Sequence, residues 1–259
     1  MGKIISVYNQ KGGVGKTTTV VNLAAALAYT GLFKKKILVV DMDPQGNTTS
    51  GLGVDKSDVA EDIYTILAGT SSVEGTWREI QSERLKLIPS TPDLTGFEIE
   101  AVGLERAHYR LKEALEPVRE AFDFILIDCP PSLGMLSMNA LAASDSVLIP
   151  IQTEFYALEG VSQLVETLNL VRERINPQLD VEGVVLTMYD ARTNLAQDVR
   201  NEVNHYFEGK VFKTEIPRNI RLAEAPSFGQ SAITYDRNSK GAEAYIQLAK
   251  ELKRRNKMR

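Results

Sequence analysis

Eleven consecutive residues restrict this chain more than any others: Asn9-Gln10-Lys11-Gly12-Gly13-Val14-Gly15-Lys16-Thr17-Thr18-Thr19. The β-prone run Ile4-Ile5-Ser6-Val7-Tyr8 precedes them. Val20-Val21-Asn22-Leu23-Ala24-Ala25-Ala26-Leu27-Ala28 follows, a helix former long enough to pack on a sheet. Strand, glycine loop and helix in this order let backbone N–H groups close around phosphate oxygens. Gly12, Gly13 and Gly15 permit the approach, Lys16 neutralises β and γ charge, and Thr17 offers a hydroxyl to Mg²⁺. The strict pattern calls for glycine where Gln10 stands, so the loop is a variant. Lys11 adds a second cation, more positive charge than one triphosphate needs from a single chain, which predicts a charge shared with a partner.

Two further strands carry acids at their carboxyl ends, where open α/β sheets bind ligands. Ile37-Leu38-Val39-Val40 is apolar on both faces, as a buried parallel strand requires, and ends at Asp41. The following Met42-Asp43-Pro44-Gln45-Gly46-Asn47 cannot continue it. Asp41 is placed to accept a proton from, or orient, a water attacking the γ-phosphate, whereas Asp43 is expected to hold loop geometry. Phe124-Ile125-Leu126-Ile127 runs into Asp128, the Walker-B arrangement, in which a carboxylate at the sheet edge holds a Mg²⁺-bound water. Pro130, Pro131 and Gly134 then shape a loop close to the γ-phosphate, a candidate switch.

The remaining chain reads as scaffold. The spacing predicts a short helix over 58–67, a strand at Leu85-Lys86-Leu87-Ile88, and a charged amphipathic helix over 104–121, broken near Pro117, with Leu104, Leu111 and Leu115 on one side. Val147-Leu148-Ile149-Pro150-Ile151 and residues 181–187 are further strands, and helices are expected over 160–175, 194–207 and 241–253. The β-α alternation predicts a single α/β domain over 1–259: a doubly wound, mostly parallel sheet flanked by helices, of the P-loop NTPase type. His108 and His205 are isolated, which argues against a histidine metal or catalytic site.

Charge is unevenly distributed along the chain. Residues 1–191 hold 16 Lys and Arg against 26 Asp and Glu, whereas residues 192–259 hold 14 against 8, so the C-terminal quarter is basic. The single cysteine, Cys129, excludes an intramolecular disulfide and fits a reducing, cytoplasmic setting. No charged-then-apolar leader and no run of about 18 apolar residues is present.

With these motifs assembled, the chain resembles the ParA/Soj family of chromosome-partitioning ATPases, which share a deviant Walker A motif. The resemblance spans essentially the whole chain. It is carried by residues 11–18, Asp41-Met42-Asp43-Pro44-Gln45-Gly46-Asn47, Asp128-Cys129-Pro130-Pro131-Ser132, Ala191-Arg192-Thr193-Asn194 and Pro217-Arg218-Asn219. It implies the short form without an N-terminal helix-turn-helix domain. It also implies ATP and Mg²⁺ as cofactors, an ATP-bound sandwich dimer that binds DNA non-specifically on the nucleoid, and slow hydrolysis stimulated by a ParB-like centromere-binding protein. By this similarity Lys11 reaches across the dimer to the partner's phosphates, and Lys16 binds β and γ phosphates within a loop that includes Val14 and Thr18. Thr17 binds the metal, Asp41 the attacking water, and Asp128 the metal through water. Pro217 and Asn219 match adenine contacts; Arg192 and Arg221 match arginines that hold the DNA backbone.

The close alternative is a MinD-like membrane-switched ATPase, which needs a C-terminal amphipathic helix with bulky apolar residues. Tyr245, Ile246, Leu248 and Leu252 can pack a helix on the body, but Lys253-Arg254-Arg255-Asn256-Lys257-Met258-Arg259 offers one apolar side chain, too little to insert. The tail is read as a solvated helix end or a minor DNA contact, and no membrane partner is expected. A nitrogenase-iron-protein-like carrier would need two ligand cysteines per chain. A metabolic ATPase such as an amidoligase would need an additional substrate pocket, for which no residues stand out.

Overall fold

The computed structural model describes residues 2–32, 34–154 and 157–257, with backbone only at 157–159. The chain runs β1 (Lys3–Val7), α1 (Lys16–Tyr29), β2 (Ile37–Asp41), α2 (Asn47–Gly51), α3 (Ile63–Ala68), α4 (Val73–Thr76), β3 (Arg78–Ile80) and β4 (Ser82–Ile88). It continues with α5 (Leu94–Glu100), α6 (Arg110–Leu115), β5 (Phe124–Asp128), α7 (Met135–Ala143), β6 (Ser146–Gln152), α8 (Ala157–Arg174) and β7 (Asp180–Thr187). The last elements are α9 (Asn194–Tyr206), α10 (Ile220–Glu224), α11 (Ala232–Tyr235) and α12 (Lys240–Arg255).

The strands form one sheet in the order β3-β4-β2-β5-β1-β6-β7. Every pairing is parallel except β3 with β4. From β1 the chain moves to β2 on one side; from β5 it crosses to β6 on the other. Such a reversal opens a crevice at the carboxyl ends of the central strands. The register sets Asp41 opposite Asp128 and Val7 opposite Asp128, so the two strand-end acids and the start of the glycine loop share one edge.

Both faces of the sheet are covered, which is why the central strands are apolar throughout. On one face Ile5, Val39, Leu126, Leu148 and Val185 pack with the small residues of α1 and with Tyr245, Leu248 and Leu252 of α12. On the other, Ile4, Leu38, Ile125, Ile127 and Ile149 pack beneath α3 and α5 to α9. In β5 the change of face at each residue is the period-2 pattern of a strand buried on both sides.

The doubly wound sheet matches the expectation from sequence, with local differences. The short helix starts at Ile63 rather than 58, because Asp62 caps it reciprocally with Thr65. The helix expected over 104–121 is broken around Pro117 as expected, where a 3₁₀ turn spans Glu116–Ala121, and also earlier, where a 3₁₀ turn at Ala107–Tyr109 precedes α6. Leu111 and Leu115 are buried, but Leu104 lies outside and is exposed. The β4 strand begins earlier than expected and carries β3 as an antiparallel edge. Met258 and Arg259 of the basic tail lie outside the described residues.

Candidate nucleotide site

Gly13 and Gly15 adopt φ of +75° and +92°, a conformation that disfavours any side chain, and Gly15 caps α1 without side-chain help. The loop therefore ends with its N–H groups directed outward at the positive end of a 14-residue helix. Three contacts fasten it. Thr187 Oγ1 donates to the Val14 carbonyl at 2.8 Å, Asn9 Nδ2 to Pro150 O at 2.8 Å, and Gln10 Nε2 to Thr167 Oγ1 at 2.7 Å. Gln10, where the strict pattern has glycine, thus ties the loop to α8.

The two lysines differ in setting. Lys16 is buried and its Nζ donates to the Lys11 carbonyl at 3.1 Å, spanning the loop from inside. Burial lowers its pKa from the ordinary value, and the Asp128 carboxylate opposes that shift. Lys11 lies at the rim, half-exposed, with its ammonium paired to Glu154.

Behind the loop sit the two acids. Thr17 Oγ1 and Thr48 Oγ1 both donate to Asp128 Oδ2, at 2.8 and 2.7 Å. The other oxygen, Oδ1, is buried with no protein partner. Asp41 Oδ2 accepts from both the backbone N–H and the hydroxyl of Thr49, at 2.8 and 2.7 Å, and Oδ1 accepts from Asp43 N at 3.2 Å. Burial pushes Asp41 up to about 8, with the Asp128 charge adding to it, and burial pushes Asp128 up to about 6 against its two hydroxyl donors. Two carboxylates this close, with an orphaned oxygen, form a site short of positive charge. The donor set suits a hard divalent cation that keeps water: one hydroxyl, one carboxylate and phosphate oxygens. Asp43 holds the turn, as expected, accepting from Gln45 N at 2.9 Å. Gly46 is required there, because a Cβ would lie 2.7 Å from the Ser90 carbonyl and φ is +60°.

A cleft of about 620 Å³ opens over these groups, lined by Gly12, Gly13, Lys16, Thr17, Asp43 and the Pro130-Pro131-Ser132 loop among others. Asp41 and Asp128 lie just beneath its lining. A second, more apolar recess of about 220 Å³ joins it at Gly15, Thr18 and Met188, and its walls include Ile216, Pro217, Asn219, Leu222 and Tyr245. One polar and one apolar chamber sharing a glycine wall match a polyphosphate and a planar base. Pro217 and Asn219 both line the second chamber. Asn219 Oδ1 caps α10 by accepting from Arg221 N at 3.0 Å.

Arg192 and Arg221 are exposed and line neither chamber, each with acidic company. Arg192 grips Asp190 with two nitrogens at 2.9 and 2.7 Å, and Arg221 pairs with Glu224 at 2.7 Å and Asp236 at 3.3 Å. Sequence reasoning missed Thr48, Thr49, Met188 and Tyr245. The only signal for the threonines was two hydroxyls directly after the Asp41 turn, a placement that serves equally as a helix start. Among the described residues no cluster of three or more metal-binding side chains occurs, and no helix is long and apolar enough to cross a membrane.

A family model described as an AAA domain matches residues 2–181. The chain is 57% identical to the sporulation initiation inhibitor protein Soj of Bacillus subtilis, over 97% of this chain and 98% of that protein. It is 50% identical to the chromosome partitioning protein ParA of Myxococcus xanthus, over 99% of this chain and 89% of that one. Among solved structures, cobyrinic acid a,c-diamide synthase from Mycobacterium smegmatis with bound ADP and magnesium superposes with a TM-score of 0.85, at 36% identity, over 99% of this chain and 96% of that one.

Proposed function

The chain belongs to the ParA/Soj family of chromosome-partitioning ATPases, and from that premise we propose that it is a Mg²⁺-dependent ATP hydrolase that switches a DNA-binding dimer on and off. ATP is seated with its phosphates over Gly12–Thr18 and its adenine against Pro217 and Asn219. Thr17 and, through water, Asp128 would hold the Mg²⁺, which when bound would supply positive charge to the phosphates. The observation that carries this reading is the Thr17–Asp128 bond beside an unpartnered buried carboxylate oxygen, at the foot of a loop that presents Lys16.

Lys16 supplies the in-chain cation for the β and γ phosphates. Thr49 and the Asp43 amide hold Asp41 fixed, so that it orients the attacking water. Lys11 leaves Glu154 and reaches the partner's phosphates in a sandwich dimer, where a well-placed extra cation is worth roughly 10³–10⁵ in rate. Arg192 and Arg221 hold the phosphodiester backbone of non-specific DNA on the nucleoid. A ParB-like protein stimulates hydrolysis and resets the dimer in the cytoplasm.

A membrane-switched reading finds no support in the C-terminal helix. Tyr245, Leu248 and Leu252 are packed in the core against α1, at 0–1% exposure, which leaves no apolar face to insert among the described residues of that helix. An amidoligase reading would need a dedicated acceptor pocket, and the relatives at 57% and 50% identity are Soj and ParA proteins instead.

Sedimentation with ADP and with a non-hydrolysable ATP analogue tests the reading. A mass doubling with the analogue alone, lost in Lys16→Ala, is expected; a monomer under both nucleotides would contradict it.

A further inference from the structure

Two basic runs far apart in sequence meet in space. Lys34-Lys35-Lys36 leads into β2 at the amino end of the sheet, and α12 runs beside α1 so that its last turns reach the same end. Lys253 Nζ lies over the turn at Gly31, 3.5 Å from where a Cβ there would stand, and Lys35 N donates to Leu27 O at 3.0 Å, which fixes the first run against α1. The acids nearby are committed to inner cations. Asp123 pairs with Lys35 at 3.2 Å and accepts from Lys36 N at 2.8 Å, and Glu251 pairs with Arg255 at 3.0 Å. Among the described residues, Lys34, Lys36, Lys250, Lys253, Arg254 and Lys257 make no ion pair.

The helix C-terminus accounts for Lys253, Arg254 and Arg255, whose charges suit its dipole. It does not account for Lys34, Lys36 or Lys250. The pKa of the Lys253 amine is lowered by burial and then by Lys35 and Lys250, so like charges crowd here. None of the six lines the nucleotide cleft or its base recess.

We propose that Lys34, Lys36, Lys250, Lys253, Arg254 and Lys257 form a second surface for the phosphodiester backbone of duplex DNA, at the end of the sheet opposite the nucleotide. The proposal rests on the reading of the chain as a DNA-binding ATPase. Six cations spread over two elements with no cavity among them suit an extended, evenly charged polymer rather than a small phosphate ester. An anionic bilayer fits less well. Leu32, 95% exposed on the adjoining turn, is the one described apolar side chain beside the patch, and one such side chain anchors weakly. The five residues of β2 separate this surface from the carboxyl edge by roughly 17 Å at about 3.3 Å per residue, so it is built independently of the nucleotide loop.

The test is retention of the full chain on a 60-bp duplex, chosen at about six helical turns, with a non-hydrolysable ATP analogue across a salt series. Variants are Lys34→Gln/Lys36→Gln/Lys250→Gln, the same three positions as Arg, Arg221→Ala, and the unsubstituted protein. The Gln variant should bind at least tenfold more weakly at physiological salt, with the slope of log K against log salt shallower by about 0.9 for each phosphate no longer neutralised. The Arg variant should bind like the unsubstituted protein. Unsubstituted affinity and slope in the Gln variant, with Arg221→Ala weakened, would overturn this surface and leave the DNA-binding reading standing. Failure of the unsubstituted protein to bind any duplex would overturn both. Loss of binding to phosphatidylglycerol vesicles with duplex binding unchanged would assign the patch to a membrane and overturn the proposal.

Discussion

Thr17 at the start of α1 and Asp128 at the end of β5 are joined by a 2.8 Å hydrogen bond that closes the foot of the glycine loop. Residues 111 positions apart are thus held where one metal can meet both. The bond uses a single carboxylate oxygen, shared with Thr48, and leaves the second buried and unpartnered. Burying a carboxylate oxygen without a partner is costly, so a ligand at that oxygen relieves it.

Lys16→Ala removes the one buried cation of the loop. Nucleotide affinity should fall at least a hundredfold, since charge-assisted bonds contribute about 1.5–3 kcal/mol each and Lys16 would serve two phosphates. Calorimetric titration with an ATP analogue checks this, and tight binding by the variant would remove Lys16 from its role.

Asp41→Asn keeps an oxygen for Thr49 to donate to but loses the negative charge. ATP-analogue binding and dimer formation should persist while phosphate release falls by about 10²–10⁴, the usual contribution of a proton-accepting or water-orienting group. Turnover at the unsubstituted rate would show that the water is held elsewhere.

Metal-free protein should lose stability as pH rises. Asp41 and Asp128 have folded pKa values of about 8 and about 6, both above the ordinary 3.8, so between these limits the native state binds more protons than the unfolded one. The stability these protons confer is present below pH 4 and is lost progressively up to about pH 8. Thermal unfolding without metal should therefore shift to lower temperature across that window, and Asp41→Asn should flatten the dependence. A midpoint that rises with pH over the same window in the unsubstituted protein, and equally in the variant, would contradict it.

The glycine loop and the strand-end acids were legible because each is a local pattern: small residues and Lys-Thr in one run, an acid after four apolar residues in another. Pairing partners were not. Thr48 and Thr49 serve Asp128 and Asp41 only because β2 and β5 lie side by side, a relation with no trace in a stretch of threonines. The break near Pro117 was legible because proline cannot continue a helix, whereas the break at the left-handed Arg106 (φ +59°) was not, since the charges and leucines over 104–116 keep helical spacing. Equally, nothing in the sequence joins Lys34-Lys35-Lys36 to the C-terminal cations; the packing of α12 on α1 brings them to one end.

On the proposed DNA contact of Arg192, freeing that arginine should tighten DNA binding. Asp190 holds Arg192 through two nitrogens and is itself held to about 2, below the usual carboxylate range, by that arginine. Asp190→Asn should raise affinity for a non-specific duplex by about two- to fivefold, the range of an exposed ion pair. Arg221→Ala should make the salt slope of a dimer shallower by about 0.9 for each of two phosphates released. An unchanged slope in Arg221→Ala would place the DNA surface elsewhere.

The Lys11–Glu154 pair opposes transfer of Lys11 to a partner. Glu154→Gln should lower the protein concentration needed for ATP-dependent dimerisation by about two- to fivefold. Sedimentation at graded concentration reads this directly, and a higher requirement would mean that Glu154 supports the dimer instead.

Retention on a non-specific duplex, compared with ADP and with a non-hydrolysable ATP analogue and with anionic liposomes alongside, tests the central claim most directly. Retention with the analogue alone, absent in Lys16→Ala and with no liposome binding, is the result expected of a nucleotide-switched DNA-binding ATPase. Equal retention with both nucleotides, or binding to liposomes and not to DNA, would contradict it.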